Sequence, residues 1–122
     1  HELYVYNRTV SKTEKLVNRG AKLLTEIKDA PLNADVVFTM VGYPKDVEGV
    51  YLGHDGLIST AKEGQVFVDM TTSSPTIAKK ISEEVKTGAP AEQKFVSSRE
   101  NNRAYFIRMI HRLNEIMHRM LF

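Results

Sequence analysis

Apolar segments and amphipathic segments alternate along the chain. Residues 3–6, 34–41 and 65–70 are apolar almost throughout, a pattern typical of strands that are buried on both faces of a parallel sheet. Helical spacing follows each of them, over residues 11–19, 45–51 and 76–86. Strands that alternate with helices predict an α/β fold, in which a parallel sheet is joined by right-handed crossovers and covered by helices.

Local capping signals predict where the helices begin and end. Ser11 and Glu14 fit a capping box, and Gly20 is a typical residue after a helix end. Pro31 is expected to break the short segment before the second strand. Ser74 is expected to cap a helix that opens at the following proline. Residues 21–23 could form a very short strand.

Polar, glycine or proline residues follow three of the predicted strands. These loops comprise residues 7–9, 40–44 and 69–74. In parallel sheets, ligands bind outside the carboxyl ends of the strands. The sequence therefore predicts a binding site where these three loops meet.

Arg8 is the candidate with the clearest chemistry in the first loop. A guanidinium can pair bidentately with a phosphate, and Asn7 and Thr9 can add hydrogen bonds. Lys12 places a second positive charge one helical turn later. The functional interpretation is a site that prefers NADP over NAD, because an acidic residue at this position would disfavour the 2′-phosphate. From the residues alone, an ordinary surface arginine in a turn is favoured over this interpretation.

The other two loops also admit two interpretations. Gly42 would let a ligand approach the backbone closely, or it is a simple turn residue. The hydroxyls of residues 71–74 suit a polar ligand at a helix N-terminus, although capping by Ser74 needs no ligand. Asp69 could act as a general base, but a structural role in holding its loop is favoured, and His54 is assigned no role.

Composition narrows the class of protein. The 122 residues are 42% hydrophobic and 26% charged, close to the averages for one globular domain. Without cysteine, the sequence excludes disulfides, cysteine-ligated zinc and thiol catalysis, and no spacing typical of metal ligands is present. No apolar run approaches the about 20 residues of a membrane-spanning helix. We therefore expect a cytoplasmic protein with no membrane partner.

These loops closely resemble one family, the β-hydroxyacid dehydrogenases, which include 3-hydroxyisobutyrate dehydrogenase and 6-phosphogluconate dehydrogenase. The similar segments are residues 4–9, 36–41 and 69–75, in the same order and at plausible spacing. The resemblance covers residues 1–87 and implies a partial Rossmann-type sheet. It also implies NADP or NAD as cofactor and a small 3-hydroxy acid as substrate, oxidised to its semialdehyde.

The resemblance assigns roles to individual residues. It places Asn7, Arg8 and Thr9 around the adenosine ribose and its 2′-phosphate. It places Met40 and Val41 along the cofactor, and Thr72 near the nicotinamide, all by their match to the family's motifs. In the motif D-x-S-T-x-x-P, Thr71 replaces the usual serine and keeps its hydroxyl.

The sequence also departs from the family. The family's glycine-rich loop and its catalytic lysine are not in these residues, so no catalytic residue is assigned. We expect a cofactor-domain fragment of an NAD(P)-dependent oxidoreductase that is inactive by itself. The alternative is a non-enzymatic oligomerising or binding protein built from a dehydrogenase remnant.

The balance of basic and acidic residues changes near residue 90. Residues 1–90 carry 11 basic and 12 acidic side chains, whereas residues 91–122 carry 6 and 3. We interpret residues 1–90 as an incomplete NAD(P)-binding domain and residues 91–122 as a basic amphipathic helical segment. The segment would cover the sheet, pair with a second copy through residues 103–122, or bind a membrane or nucleic acid; we favour the first two. Its apolar stripe consists of Phe106, Met109, Leu113, Ile116 and Met120.

Overall fold

Among the residues that the structure describes, five short parallel strands form the framework of the fold. The computed structural model describes residues 1–71, 74–87 and 94–97. The strands are β1 (Tyr4–Val5), β2 (Lys22–Leu23), β3 (Val36–Thr39), β4 (Val66–Asp69) and β5 (Lys94–Ser97). Every pair is parallel, which confirms the predicted α/β fold class.

Helices connect the strands in the predicted alternation. They are α1 (Glu14–Val17), α2 (Asp29–Asn33), α3 (Pro44–Leu52) and α4 (Pro75–Thr87), with 3-10 helices at Val10–Thr13 and Leu57–Thr60. A proline opens both α3 and α4, as expected for a residue without an N–H at a position where the N–H has no helical partner. Ser74 Oγ accepts a hydrogen bond from the Ile77 N–H at 3.3 Å, so the predicted cap is confirmed.

Two boundary predictions were wrong. Ser11 does not cap a helix but lies inside the first 3-10 helix. The chain turns earlier, because Asn7 Oδ1 accepts a hydrogen bond from the Thr9 N–H at 2.8 Å. Pro31 does not break its segment but is buried within α2, in the first turn, where a missing N–H costs no helical hydrogen bond.

The strands form two separate sheets. One contains β1 and β2, and the other has the order β3-β4-β5. The Asp35 carbonyl accepts a hydrogen bond from the Val66 N–H of β4 at 3.0 Å, and the Thr39 carbonyl accepts one from the Met70 N–H, directly after β4, at 2.8 Å. Because alternate residues of a strand point to opposite edges, the backbone groups of Val36 and Phe38 point away from β4. Within the described residues, no strand pairs with that edge.

The core lies on one face of the larger sheet, between β3, β4 and β5 and the helices α3 and α4. Its buried members are Val37, Val47, Tyr51, Leu57, Phe67, Ala78, Ile81, Val85 and Phe95. The Tyr51 ring meets Phe67 and Phe95 edge-on, with centroids 6.1 and 5.2 Å apart. On the opposite face, Val36 and Phe38 are each 37% exposed. The helices therefore cover one face of this sheet and fix the carboxyl ends of its strands.

Of the C-terminal residues 91–122, the structure describes residues 94–97. Strand β5 lies inside residues 91–122, for which the sequence indicated a helical segment. The apolar stripe from Phe106 to Met120 and the self-association through residues 103–122 lie outside the described residues and stay predictions, as does the division at residue 90. In the described part of the chain, no helix is long and apolar enough to cross a membrane.

Candidate functional site

The loops after β3 and β4 are joined directly. The Val41 N–H donates to Thr71 Oγ1 at 3.0 Å, and Met70 N–H donates to the Thr39 carbonyl at 2.8 Å. Because parallel strands end at the same side of a sheet, neighbouring strand ends come together here. We call the region formed by residues 7–9, 40–43 and 69–71 the carboxyl edge.

The loop after β1 reaches the same edge through an ion pair. Arg8 Nη2 lies 3.6 Å from Asp46 Oδ1, in the first turn of α3. The Arg8 side chain is 77% exposed, whereas that of Asp46 is 23% exposed. An exposed pair at this distance contributes little to stability. The ion pair instead fixes the position of Arg8, because Asp46 holds the exposed guanidinium beside the loop after β3.

A buried polar network lies beneath the carboxyl edge. Asp69 is fully buried, and its Oδ1 accepts hydrogen bonds from Thr39 Oγ1 and from the Thr71 N–H, both at 3.1 Å. Tyr51 Oη lies 2.9 Å from Thr39 Oγ1. Burial raises the pKa of Tyr51 well above its usual value, since its anion would have to form inside the core. The phenol therefore stays protonated and can donate a hydrogen bond to Thr39 Oγ1.

The candidate residues after β1 lie at the surface. Asn7, Arg8, Thr9 and Lys12 are all exposed. The Lys12 N–H donates to the Thr9 carbonyl at 3.0 Å, so the turn that contains Arg8 is closed by its own backbone. The Asn7 side-chain oxygen is used inside this turn, and the side-chain nitrogen of this exposed residue is a further hydrogen-bond donor.

The candidates after β3 differ in exposure. Met40 is 81% exposed and Val41 is half-buried. A Cβ built on Gly42 would meet Asp46 Oδ2 at 3.9 Å, which is ordinary contact, and its φ is not positive. Neither strain nor crowding within the described residues therefore requires glycine at position 42. Thr72 lies outside the described residues, so its predicted place stays a prediction.

Three residues of this region were not assigned a site role from the sequence. Asp46 is one acidic residue in a helical first turn, a common position for a carboxylate. Thr39 and Tyr51 stand among apolar residues and fit a plain core pattern. Only the packing of α3 against β3 shows that they connect to Asp69. Among the residues with described placement, no group of acidic or histidine side chains could hold a metal ion.

Comparison with known proteins identifies the family. A family model for the NAD binding domain of 6-phosphogluconate dehydrogenase matches residues 1–91. An uncharacterized oxidoreductase of Bacillus subtilis is 51% identical over 89 residues, which cover 73% of this chain and 31% of the relative. A protein of Arabidopsis thaliana named "Probable 3-hydroxyisobutyrate dehydrogenase-like 1, mitochondrial" is 45% identical, covering 63% of this chain and 23% of its own length. The chain thus spans less than a third of each of these two relatives.

Solved structures agree with the fold. "Psf3 in complex with NADP+ and 2-OPP" superposes with a TM-score of 0.67 at 26% identity, over 75% of this chain and 33% of that one. An imine reductase of Myxococcus stipitatus in complex with NADP+ superposes with a TM-score of 0.69 at 18% identity, over 99% and 44% of the two chains, which supports the fold alone. The predicted resemblance is confirmed, and the chain belongs to the family of the NAD binding domain of 6-phosphogluconate dehydrogenase.

Proposed function

We propose that this chain is the cofactor-binding part of an NAD(P)-dependent oxidoreductase and that its carboxyl edge selects NADP. One observation carries the proposal: the Arg8 guanidinium is 77% exposed and lies at the edge where the strand-end loops meet. A cation placed there and left accessible suits a phosphate group. NADP differs from NAD by one such group, on the adenosine ribose.

The residues around Arg8 fit the phosphorylated ribose. Asp46 Oδ1 lies 3.6 Å from Nη2 of the guanidinium, which carries further N–H groups that can reach phosphate oxygens. The Asn7 amide and the Thr9 hydroxyl are exposed on the same turn and can donate to the same group. Lys12 supplies a second cation in the following 3-10 helix. This donor set is positive and polar, as a dianionic phosphate requires.

The loops after β3 and β4 would hold the rest of the cofactor. Met40 offers an exposed apolar surface, and Val41 next to it is fixed to Thr71. A ligand that approaches the backbone at Gly42 would explain a glycine that the conformation there does not require. Thr72 is the candidate beside the nicotinamide. When bound, the nicotinamide supplies or accepts the hydride of the reaction.

The relatives support a 3-hydroxy acid as substrate of the whole enzyme. Relatives from Arabidopsis thaliana are named 3-hydroxyisobutyrate dehydrogenase-like, and a relative from Pseudomonas aeruginosa is named NAD-dependent L-serine dehydrogenase. Both substrates named there carry a hydroxyl on the third carbon of a carboxylic acid. We propose the same class for the protein in which this domain acts. No side chain of the described residues is assigned a catalytic role.

Titration calorimetry of the full 122-residue chain with NADP+ and with NAD+ tests the site. We expect tighter binding of NADP+. The variant Arg8→Ala should weaken NADP+ binding about 10- to 150-fold and leave NAD+ binding unchanged, since a charged hydrogen bond contributes about 1.5–3 kcal/mol. Arg19→Ala is the matched control, because it removes the same charge from the turn between α1 and β2, at the other ends of the strands.

Three results would contradict the proposal. Equal losses of NADP+ and NAD+ affinity in Arg8→Ala would show that Arg8 does not contact the 2′-phosphate. An equal loss in Arg19→Ala would show a general charge effect. Absence of binding of either cofactor by the unaltered chain, together with concentration-dependent light scattering, would favour an oligomerising protein without a cofactor site.

A further inference from the structure

Thr71 stands between the two loops that would hold the cofactor. Its Oγ1 accepts the Val41 N–H at 3.0 Å, and its own N–H donates to Asp69 Oδ1 at 3.1 Å. Thr71 is 4% exposed, so water does not compete freely for either bond. Val41 therefore depends on a buried side chain of the neighbouring loop for its backbone hydrogen bond.

The hydrogen bonds of the network behind Thr71 are all donated toward Asp69. The single hydroxyl proton of Thr39 is donated to Asp69 Oδ1. The 2.9 Å contact between Thr39 Oγ1 and Tyr51 Oη must then use the phenolic proton of Tyr51. Donation thus runs from Tyr51 on α3, through Thr39 on β3, to Asp69 on β4. The aspartate is held from two sides, and it orients Thr71 in turn.

We propose that Thr71 is a positioning residue that sets the separation of the two cofactor loops, with Asp69 as its support. The proposal rests on the proposed function, because it assumes that residues 40–42 contact the cofactor. The hydroxyl does not touch the cofactor in this scheme. It fixes the Val41 backbone next to Gly42.

This role separates Thr71 from Arg8 in a measurable way. NADP and NAD share every group except the 2′-phosphate, and the loops after β3 and β4 would contact the shared part. Loss of the Thr71 hydroxyl should therefore weaken both cofactors by the same factor. Loss of the Arg8 guanidinium should weaken only NADP.

The test replaces Thr71 with valine, which keeps the shape and removes the hydroxyl, and with serine, which keeps the hydroxyl. We expect Thr71→Val to weaken both NADP+ and NAD+ about fivefold, the value of one hydrogen bond. Thr71→Ser should restore both affinities. Thr71→Ala serves if the valine variant does not fold. Thr60→Val is the matched control, because the Thr60 hydroxyl donates to the Lys28 carbonyl at 2.5 Å, remote in sequence from both cofactor loops.

A second measurement needs no cofactor. In nitrogen-15 correlation spectra of the full chain, the Val41 and Gly42 amide signals should shift in Thr71→Val and return in Thr71→Ser. Unchanged signals would overturn the proposal, and so would a fall in unfolding free energy with both affinities intact, which marks a purely structural hydroxyl. If the unaltered chain binds neither cofactor, the proposed function fails, while the amide signals still decide whether Thr71 positions the loop.

Discussion

Replacing Tyr51 with phenylalanine removes one oxygen from the centre of the protein. The tyrosine is fully buried, and its hydroxyl contacts Thr39 Oγ1 at 2.9 Å. Both edge-on ring contacts, to Phe67 and Phe95, are kept by phenylalanine. The substitution therefore tests the hydroxyl and its hydrogen bond, and it leaves the packing of the core unchanged.

Near neutral pH the variant should be less stable. A buried hydrogen bond contributes about 0.5–1.5 kcal/mol to the free energy of unfolding. Thr39 keeps its bond to Asp69, so one acceptor site on its hydroxyl is left unfilled. We expect a loss of about 1 kcal/mol at pH 7, toward the middle of that range.

At alkaline pH the difference should disappear. Burial raises the pKa of Tyr51 above the usual 10.0, so the unfolded chain loses this proton first. Wherever the unfolded state binds fewer protons, stability falls as pH rises. The contribution of Tyr51 is thus complete below pH 10 and declines above it, by about 1.4 kcal/mol at pH 11. The phenylalanine variant has no such proton to lose, so the two stabilities should meet between about pH 10 and pH 11.

Urea unfolding, followed by circular dichroism between pH 7 and pH 11, measures both effects. The other ionisable groups are common to the two proteins and cancel in the difference. A difference that stays constant over this range would refute the reasoning. It would mean that Tyr51 ionises equally in the folded and unfolded chain, and hence that its hydroxyl is not buried.

Two further predictions concern the core and the backbone. Phe67 is fully buried, so Phe67→Ala should lower the free energy of unfolding by about 3–5 kcal/mol. Phe38 is 37% exposed, so Phe38→Ala should lower it clearly less. Equal urea midpoints of the two variants would contradict the assignment of the two faces of the sheet. Gly20→Ala should destabilise the chain by about 1 kcal/mol, because φ at this glycine is +101°. Gly49→Ala lies inside α3, with no heavy atom of the described residues within 4 Å of its Cβ position, and should stabilise the chain by about 0.5–1 kcal/mol. Thermal midpoints of the two variants that move in the same direction would refute the backbone argument.

Local signals were sufficient for most of the fold. The apolar runs that became β3 and β4 were enough to predict two strands of a parallel sheet. The predicted burial on both faces is wrong for β3, because Val36 and Phe38 are each 37% exposed on the face away from the core helices. Pro44 predicted the start of its helix because its ring fixes φ and removes the N–H, and both suit the first helical position. Strand β5 could not be predicted in this way, because Lys94–Ser97 is short and is a strand through pairing with β4.

Some features of the candidate site could likewise be predicted from the sequence, and others could not. The meeting of residues 40–43 with Thr71 follows from the rule that parallel strands end at one edge, and the structure confirms it. The part played by Asp46 and Tyr51 does not follow from any local pattern. It depends on how α3 is rotated against β3, which is decided by the packing of the whole core.

Within the described residues, the edge of β3 away from β4 is unpaired, and this has a consequence for isotope exchange. Val37 and Thr39 face β4, so their amide hydrogens should exchange slowly with heavy water, whereas those of Val36 and Phe38 should exchange fast. In β4, which has a strand on each side, all amides should be slow. Alternating slow and fast amide exchange along these four residues therefore shows whether the edge of β3 is paired. If a further strand, from this chain or another, occupies it, the alternation disappears and Val36 and Phe38 become as slow as their neighbours.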